Sequence, residues 1–143
     1  MKRTAFTLVE ILIVVIILGI LAAIVIPQFT QASNDARDSA LYSDLHTIRS
    51  QLEFYKIQHG DEYPPMDTFV DALTNKTNMD HEIGTDAEHC YGPYLPEFPR
   101  NPYVADKDNA RKVGEPDAEG VGWYFDVDEQ RFYAATPDRA QEW

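Results

Sequence analysis

The organisation of this chain is decided by Lys2-Arg3-Thr4-Ala5-Phe6-Thr7-Leu8-Val9-Glu10 and by the sixteen residues that follow, Ile11 to Ile26, which carry no polar side chain. Two cations precede the apolar run, the carboxylate of Glu10 stands at its head, and Pro27 closes it. From Phe6 to Ile26 a helix would be about 31 Å long at ~1.5 Å per residue. That length matches the roughly 30 Å hydrocarbon core of a bilayer. The segment is therefore long enough to span a membrane, provided that Glu10 is accommodated.

Two general interpretations explain part of this segment. A cleaved secretory signal would use Lys2-Arg3 as its charged region and Thr30-Gln31-Ala32 as its cleavage site. Against it, the apolar run exceeds the usual length of roughly 7–15 residues, and Thr30-Gln31-Ala32 matches the small-residue cleavage pattern poorly. An ordinary membrane anchor explains the length and the two cations, which favour a cytoplasmic N-terminus. It does not explain Glu10, because a charge well inside the bilayer costs about 2.5–3.5 kcal/mol.

A third interpretation also accounts for Glu10. Ala5-Phe6-Thr7-Leu8-Val9-Glu10 and the apolar run resemble the N-terminus of type IV pilins and type II secretion pseudopilins. The resemblance implies that a prepilin peptidase removes the basic leader between Ala5 and Phe6, that the new Phe6 amine is methylated, and that Glu10 pairs with a neighbouring subunit's N-terminus during assembly. Ala5 stands where the family usually has glycine. Because a small residue meets the same steric need, cleavage is still expected, at a lower rate.

The composition limits the other functions open to the chain. Its 143 residues carry 12 Lys and Arg against 24 Asp and Glu, and loss of Lys2 and Arg3 would leave a side-chain charge of −14. This acidity argues against nucleic-acid binding, which needs clustered cations. Cys90 is the one cysteine, so an intramolecular disulfide is excluded. The resemblance implies that the C-terminal region needs another support, which in major pseudopilins is typically calcium.

Hydrophobic periodicity predicts one long helix over residues 6–59. A stripe at helical spacing marks its second half, formed by Leu41, Leu45, Ile48, Leu52 and Tyr55. We expect a kink near Pro27 and an end at Gly60. The predicted domains are a leader at 1–5, a transmembrane and assembly half-helix at 6–27, an amphipathic half-helix at 28–60, and a small periplasmic head at 61–143. The fold class is α+β and pilin-like: the helix packs on a small globular domain with a short antiparallel sheet.

The head is predicted to be largely irregular before a C-terminal hairpin. Residues 67–73 suggest a short helix capped by Asp67, and residues 106–120 suggest a loop. Residues 122–134 predict a β-hairpin, since two aromatic runs flank an acidic turn. We expect its rings to pack on the helix stripe, with a substrate-binding surface as the alternative. The segments Tyr94-Leu95-Pro96 and Pro99-Arg100-Asn101-Pro102-Tyr103 resemble a segment of the major pseudopilins, as does Tyr63-Pro64-Pro65 after the helix.

Two groups of residues raise the question of a metal. Oxygen ligands converging from loops suit Ca²⁺, so calcium is a hypothesis for the acidic residues Asp106, Asp108, Asp117, Asp126, Asp128 and Glu129. We assign no ligands, since the turn lacks EF-hand spacing and the family's calcium loop follows the last strand. His81, His89 and Cys90 lack zinc-site spacing and are interpreted as loop residues. No nucleophile or phosphate-binding motif indicates an enzyme.

The combined prediction is a structural subunit of a type II secretion filament that is processed, N-methylated and polymerised. The resemblance implies four partners: copies of the chain itself, a prepilin peptidase, an inner-membrane assembly platform and minor pseudopilins. It implies a single pass through the inner membrane with the C-terminal domain in the periplasm, followed by a filament in the periplasm or at the cell surface. A type IV pilus subunit or minor pilin, or a non-polymerising membrane-anchored binding protein, remains the alternative.

Overall fold

A computed structural model describes residues 7–135 of the chain. Helix α1 spans Leu8–Gln58 and helix α2 spans Phe69–Thr74, and a 3₁₀ turn follows at Asn109–Arg111. The strands are β1 at Val113–Gly114, β2 at Trp123–Asp126 and β3 at Arg131–Ala134. This is the predicted α+β, pilin-like fold with one long N-terminal helix. The chain divides into two compact units, one up to Asp38 and one from Ser39.

The first unit contains the apolar part of α1. Every large apolar side chain from Leu8 to Ile26 is at least 50% exposed. Within residues 7–135, α1 is the one helix long and apolar enough to cross a membrane. It continues through Pro27, although that residue has no N–H to donate to the preceding turn. Proline is tolerated in membrane helices, and the kink expected at Pro27 stays a prediction.

The second unit is built on the remaining part of α1. The predicted stripe is buried, with each of its five side chains at most 2% exposed. It forms one core with the aromatic rings of α2, of the proline-rich segment and of the hairpin: Phe69, Phe98, Trp123, Phe125 and Phe132. The prediction that the hairpin packs on this stripe is therefore confirmed.

Helix α1 ends where the sequence predicts. Gly60 has a φ of +66° and Asp61 a φ of +73°, both in the left-handed region that ends helices. The amide of Asp61 donates to the carbonyl of Lys56 at 2.9 Å, which satisfies one of the carbonyls left free at the helix end. The chain can then turn back toward the core.

The sheet contains the predicted hairpin and one further strand. Strands β2 and β3 are antiparallel, with Trp123 opposite Ala134 and Phe125 opposite Phe132. Strand β1 pairs with β2 in parallel, with Val113 opposite Trp123. The three-stranded sheet is therefore mixed, and the expectations of a loop throughout 106–120 and of a purely antiparallel sheet were wrong. A strand of two residues is too short to show the alternation by which strands are recognised.

The short helix is present but begins differently. Thr68, not Asp67, occupies the N-cap position of α2, and no side chain caps it. The amide of Thr68 instead donates to the carbonyl of Pro65 at 3.1 Å, so a turn beginning at that proline leads into the helix. The prediction that Asp67 caps this helix was therefore wrong.

Candidate functional site

Glu10 lies in the first turn of α1, where it forms a reciprocal pair with Thr7. The Thr7 amide and the Thr7 hydroxyl each donate to Glu10 Oε2 at 2.8 Å. The Glu10 amide approaches Thr7 Oγ1 at 3.3 Å. Together they form a capping box, in which a threonine and a glutamate three residues later satisfy each other's free amides. The helix therefore begins at a defined residue, with an acidic side chain fixed at its positive end.

This arrangement fixes the Glu10 side chain and leaves its carboxylate available to accept further hydrogen bonds. Both hydrogen bonds from Thr7 fall on the same oxygen, Oε2, and the side chain is exposed. An ionised carboxylate has about four lone-pair sites, so it can accept further donors while it holds the cap. Sequence reasoning missed the part played by Thr7, although the Thr-x-x-Glu pattern was visible. The processing residues Ala5 and Phe6 lie outside the described residues, so the predicted pairing of Glu10 with an amine stays a prediction.

Two of the six carboxylates considered for calcium accept backbone amides in local turns. Asp126 Oδ1 accepts the amides of Asp128 and Glu129, both at 2.9 Å, and so shapes the hairpin turn. Asp106 Oδ1 likewise accepts the amides of Asp108 and Asn109, at 3.1 and 2.8 Å. Within residues 7–135, no group of three or more His, Cys, Asp or Glu side chains is placed to hold a metal ion. The calcium hypothesis therefore gains no supporting geometry in the described chain.

The histidines and the cysteine of the head are found in separate contacts. His89 pairs with Asp86 through Nδ1, and Cys90 is exposed. His81 contacts the hydroxyl of Tyr55 and the carboxylate of Glu62. All three lie in the loop, as predicted. Sequence reasoning did not single out His59, which is only 2% exposed.

The hairpin rings are divided between its two faces. Trp123 and Phe125 from β2 and Phe132 from β3 point into the core and are at most 3% exposed. Tyr124 and Tyr133 lie half-buried on the other face, with ring centroids 5.3 Å apart. Three of the five rings considered for a substrate-binding surface are therefore committed to packing, which weakens that alternative.

Comparisons with known proteins give one family motif and several curated relatives. Residues 1–26 match the family model described as the prokaryotic N-terminal methylation motif. The chain is 33% identical over 103 residues to a type II secretion system core protein G of Aeromonas hydrophila, covering 71% of each chain. It is 34% identical over 103 residues to the protein of that name from Pseudomonas aeruginosa, covering 71% of this chain and 72% of the relative.

A third relative agrees with these two. The type II secretion system core protein G of Vibrio cholerae is 32% identical over 106 residues, covering 73% of this chain and 68% of the relative. No solved structure gives a significant match. The similarity extends over more than two thirds of each protein, well beyond the 26 residues of the methylation motif.

Proposed function

Since this chain belongs to the type II secretion system core protein G family, the major pseudopilins, we propose that it is cleaved between Ala5 and Phe6, methylated on Phe6 and polymerised through Glu10. It is a structural subunit of a secretion filament. The observation that carries the proposal is the methylation motif over residues 1–26, joined to a chain that is similar to the curated relatives over most of its length.

Processing is supported by the chemistry around the proposed cleavage point. Lys2 and Arg3 precede it and the apolar run follows it. Cations on this side of a membrane segment favour a cytoplasmic N-terminus. A peptidase acting at the cytoplasmic face would then meet Ala5 before the chain enters the hydrocarbon. Residues 1–5 serve as the leader, and residues 6–27 as the half-helix that spans the membrane.

Assembly is supported by the position of Glu10. Cleavage would create an amine at Phe6, with an ordinary pKa of about 7.7–8.0, and this group is positive near neutrality. Phe6 precedes Glu10 by four residues in the sequence, so the carboxylate of one subunit could pair with its own amine or with an incoming subunit's amine. An unpaired charge in a medium of low dielectric constant is costly, whereas a paired one is much less so. Pairing would therefore set the axial register between neighbouring subunits.

The location and the partners follow from the same proposal. The subunit would cross the inner membrane once, with residues 28–60 continuing the helix and residues 61–143 forming the periplasmic head. After extraction from the bilayer, the exposed apolar side chains of residues 8–26 would pack against other copies of the chain. A prepilin peptidase, an inner-membrane assembly platform and minor pseudopilins would be its other partners. None of these roles requires catalysis by the chain itself.

Two measurements on the full chain, co-expressed with its peptidase, test the proposal. Mass spectrometry of the purified protein should give an N-terminus at methylated Phe6, and one at Ser33 would identify a cleaved secretory signal instead. Glu10→Leu should insert into the membrane at wild-type levels but form no filaments. Thr7→Ala is the matched control, because it removes the cap and leaves the carboxylate. Normal filaments from Glu10→Leu would contradict the assembly role.

A further inference from the structure

A pair of stacked histidines joins the end of α1 to a loop of the head. His59 follows the last turn of α1, and its ring lies on the ring of Tyr55 with centroids 3.8 Å apart and planes within 4°. His59 Nδ1 lies 2.9 Å from the carbonyl oxygen of Tyr55. Because a carbonyl only accepts, Nδ1 carries the proton and the neutral ring has a bare Nε2. That nitrogen accepts the hydroxyl of Thr77 at 3.0 Å, where both side chains are buried.

His81 lies beside this ring, with its centroid 5.0 Å from that of His59. Its Nε2 is 3.1 Å from the Glu62 carboxylate, which accepts only, so Nε2 carries the proton. Its Nδ1 then accepts the hydroxyl of Tyr55 at 2.7 Å. In this tautomer, each of the two histidines uses its bare ring nitrogen to accept a hydrogen bond from a hydroxyl group.

These two contacts attach one loop to the helix end. Residues 76–91 form the loop, which we name the histidine-held loop. It is closed on itself by Thr77 and Tyr91, whose amides donate to each other's carbonyls at 3.0 and 3.1 Å. Thr77 is fully buried, so it cannot leave His59 without the loop lifting from the core. His81 is the second attachment, four residues farther along.

We propose that the histidine-held loop is a pH-responsive element: it is docked on the end of α1 while His59 is neutral, and it is released when His59 takes up a proton. Protonation places a second proton on His59 Nε2, the nitrogen that now accepts the Thr77 hydroxyl. It also puts a positive charge in a buried stack, next to a ring that is itself basic.

The backbone carbonyls of Tyr55 and Asn78 favour the protonated His59 ring, but burial and the neighbouring His81 together oppose it more strongly. The groups from α1, the turn after it and the loop that face the two rings are Tyr55, Glu62, His81, Tyr91 and Tyr94. In this set the carboxylate is Glu62, and it pairs with His81 rather than with His59. The nearby Lys56 pairs with Asp61 at 3.4 Å.

The direction of the pH dependence follows from burial. Burial lowers the pKa of His59 below its ordinary value, and the neighbouring His81 lowers it further. In the released loop the ring would return to an ordinary pKa of about 6.5. The docked state therefore has its full stability above about pH 6.5, and loses it as the pH falls from there through the lowered pKa of the docked ring.

Amide hydrogen exchange on the full chain in detergent micelles tests the proposal. Exchange is measured at about pH 7.5 and about pH 5.5, which bracket the ordinary histidine pKa of about 6.5, and is expressed as protection factors to remove the intrinsic effect of pH. The protection of Thr77 and Tyr91 should fall by up to about tenfold, the limit that one ring can contribute over this range. The amides of the buried stripe of α1 should keep theirs.

Three variants make the result specific. His59→Gln keeps a hydrogen-bonding side chain that does not titrate, so the pH-dependent loss should disappear. His59→Phe keeps the stack on Tyr55 and should also abolish it. His46→Gln removes an exposed histidine of α1 outside the stack and should leave the loss unchanged.

Two results would overturn the proposal. One is protection that does not change with pH in the wild-type chain, or that falls equally in His59→Gln. The other is independent of variant folding: the His59 ring of the wild-type chain, followed by nuclear magnetic resonance, titrates at or above about 6.5, the ordinary histidine pKa.

Discussion

The side-chain amide of Asn101 donates to the backbone carbonyl of Gly122 at 2.7 Å, across 21 residues of sequence, in a site where Asn101 is 1% exposed. The same nitrogen reaches the carbonyl of Ala135 at 3.1 Å. Asn101 Oδ1 accepts the amide of Tyr103, and the Asn101 amide donates to the carbonyl of Ala110. One side chain and its backbone thus join the proline-rich segment, the 3₁₀ turn and both ends of the hairpin. This network supports a head in which no disulfide can form.

Asn101→Ala should destabilise the head strongly. It removes the side-chain hydrogen bonds to the Gly122 and Ala135 carbonyls and from the Tyr103 amide, and each such bond contributes about 0.5–1.5 kcal/mol. We expect a loss of about 3 kcal/mol in the free energy of unfolding. Urea denaturation of the full chain in micelles, followed by tryptophan fluorescence, measures it. Asn75→Ala is the control, because Asn75 is exposed and its side chain makes only local bonds. Equal stability of the two variants would contradict the role of Asn101.

Gly122→Ala should also destabilise the head, for a steric reason. A Cβ at Gly122 would lie 2.2 Å from the carbonyl oxygen of Ala110, which is backbone and cannot rotate away. The strand would have to shift, and overpacking of this kind costs roughly 1–3 kcal/mol. Gly19→Ala is the control, since a Cβ there meets nothing within 4 Å. Thermal unfolding followed by near-ultraviolet circular dichroism should show a lower midpoint for Gly122→Ala alone.

Two isoleucines of α1 give a matched test of the core. Ile48 is 0% exposed and Ile57 is 77% exposed, although they lie nine positions apart in one helix. Ile48→Ala should cost about 2–5 kcal/mol, because it leaves a cavity in the core that α1 shares with the head. Ile57→Ala should change stability by less than about 0.5 kcal/mol. Urea titration of both variants checks the pair, and a small cost at Ile48 would mean that the stripe is not packed as described.

Removing the capping box should loosen the first turn of α1 and leave the rest of the helix intact. Thr7→Ala deletes the hydroxyl that bonds Glu10 and should destabilise the helix end by about 1 kcal/mol. Exchange of the Glu10 and Ile11 amides, which bond to Thr7, should become about fivefold faster in micelles, which is what that free energy corresponds to. Thr7→Ser keeps the hydroxyl and should restore most of the protection. If exchange is unaffected by Thr7→Ala, the cap contributes nothing to the stability of the helix end.

The features that could be predicted from the sequence are those with a repeating local pattern. The stripe from Leu41 to Tyr55 has helical spacing, and the hairpin has two aromatic runs around an acidic turn. Strand β1 has two residues and no repeat, so it could not be recognised. The burial of His59 depends on its contact with Thr77 in the following loop, and no local sequence pattern indicates that contact. Thr7 is different, because the Thr-x-x-Glu pattern that it forms with Glu10 indicates a capping box from the sequence alone.

The capping box also bears on the order of events during polymerisation. A glutamate already bound to the threonine of its own chain enters the bilayer with one oxygen solvated by protein. The second carboxylate oxygen of Glu10 can accept a hydrogen bond from a new donor before the first oxygen loses its hydrogen bonds from Thr7. If Glu10 pairs with an incoming subunit's amine, as proposed, a subunit could exchange partners stepwise as it leaves the lipid. At no stage must a bare anion face hydrocarbon, which would cost kilocalories. Thr7 would thus take the place of water as the hydrogen-bond donor to the Glu10 carboxylate until the new partner binds.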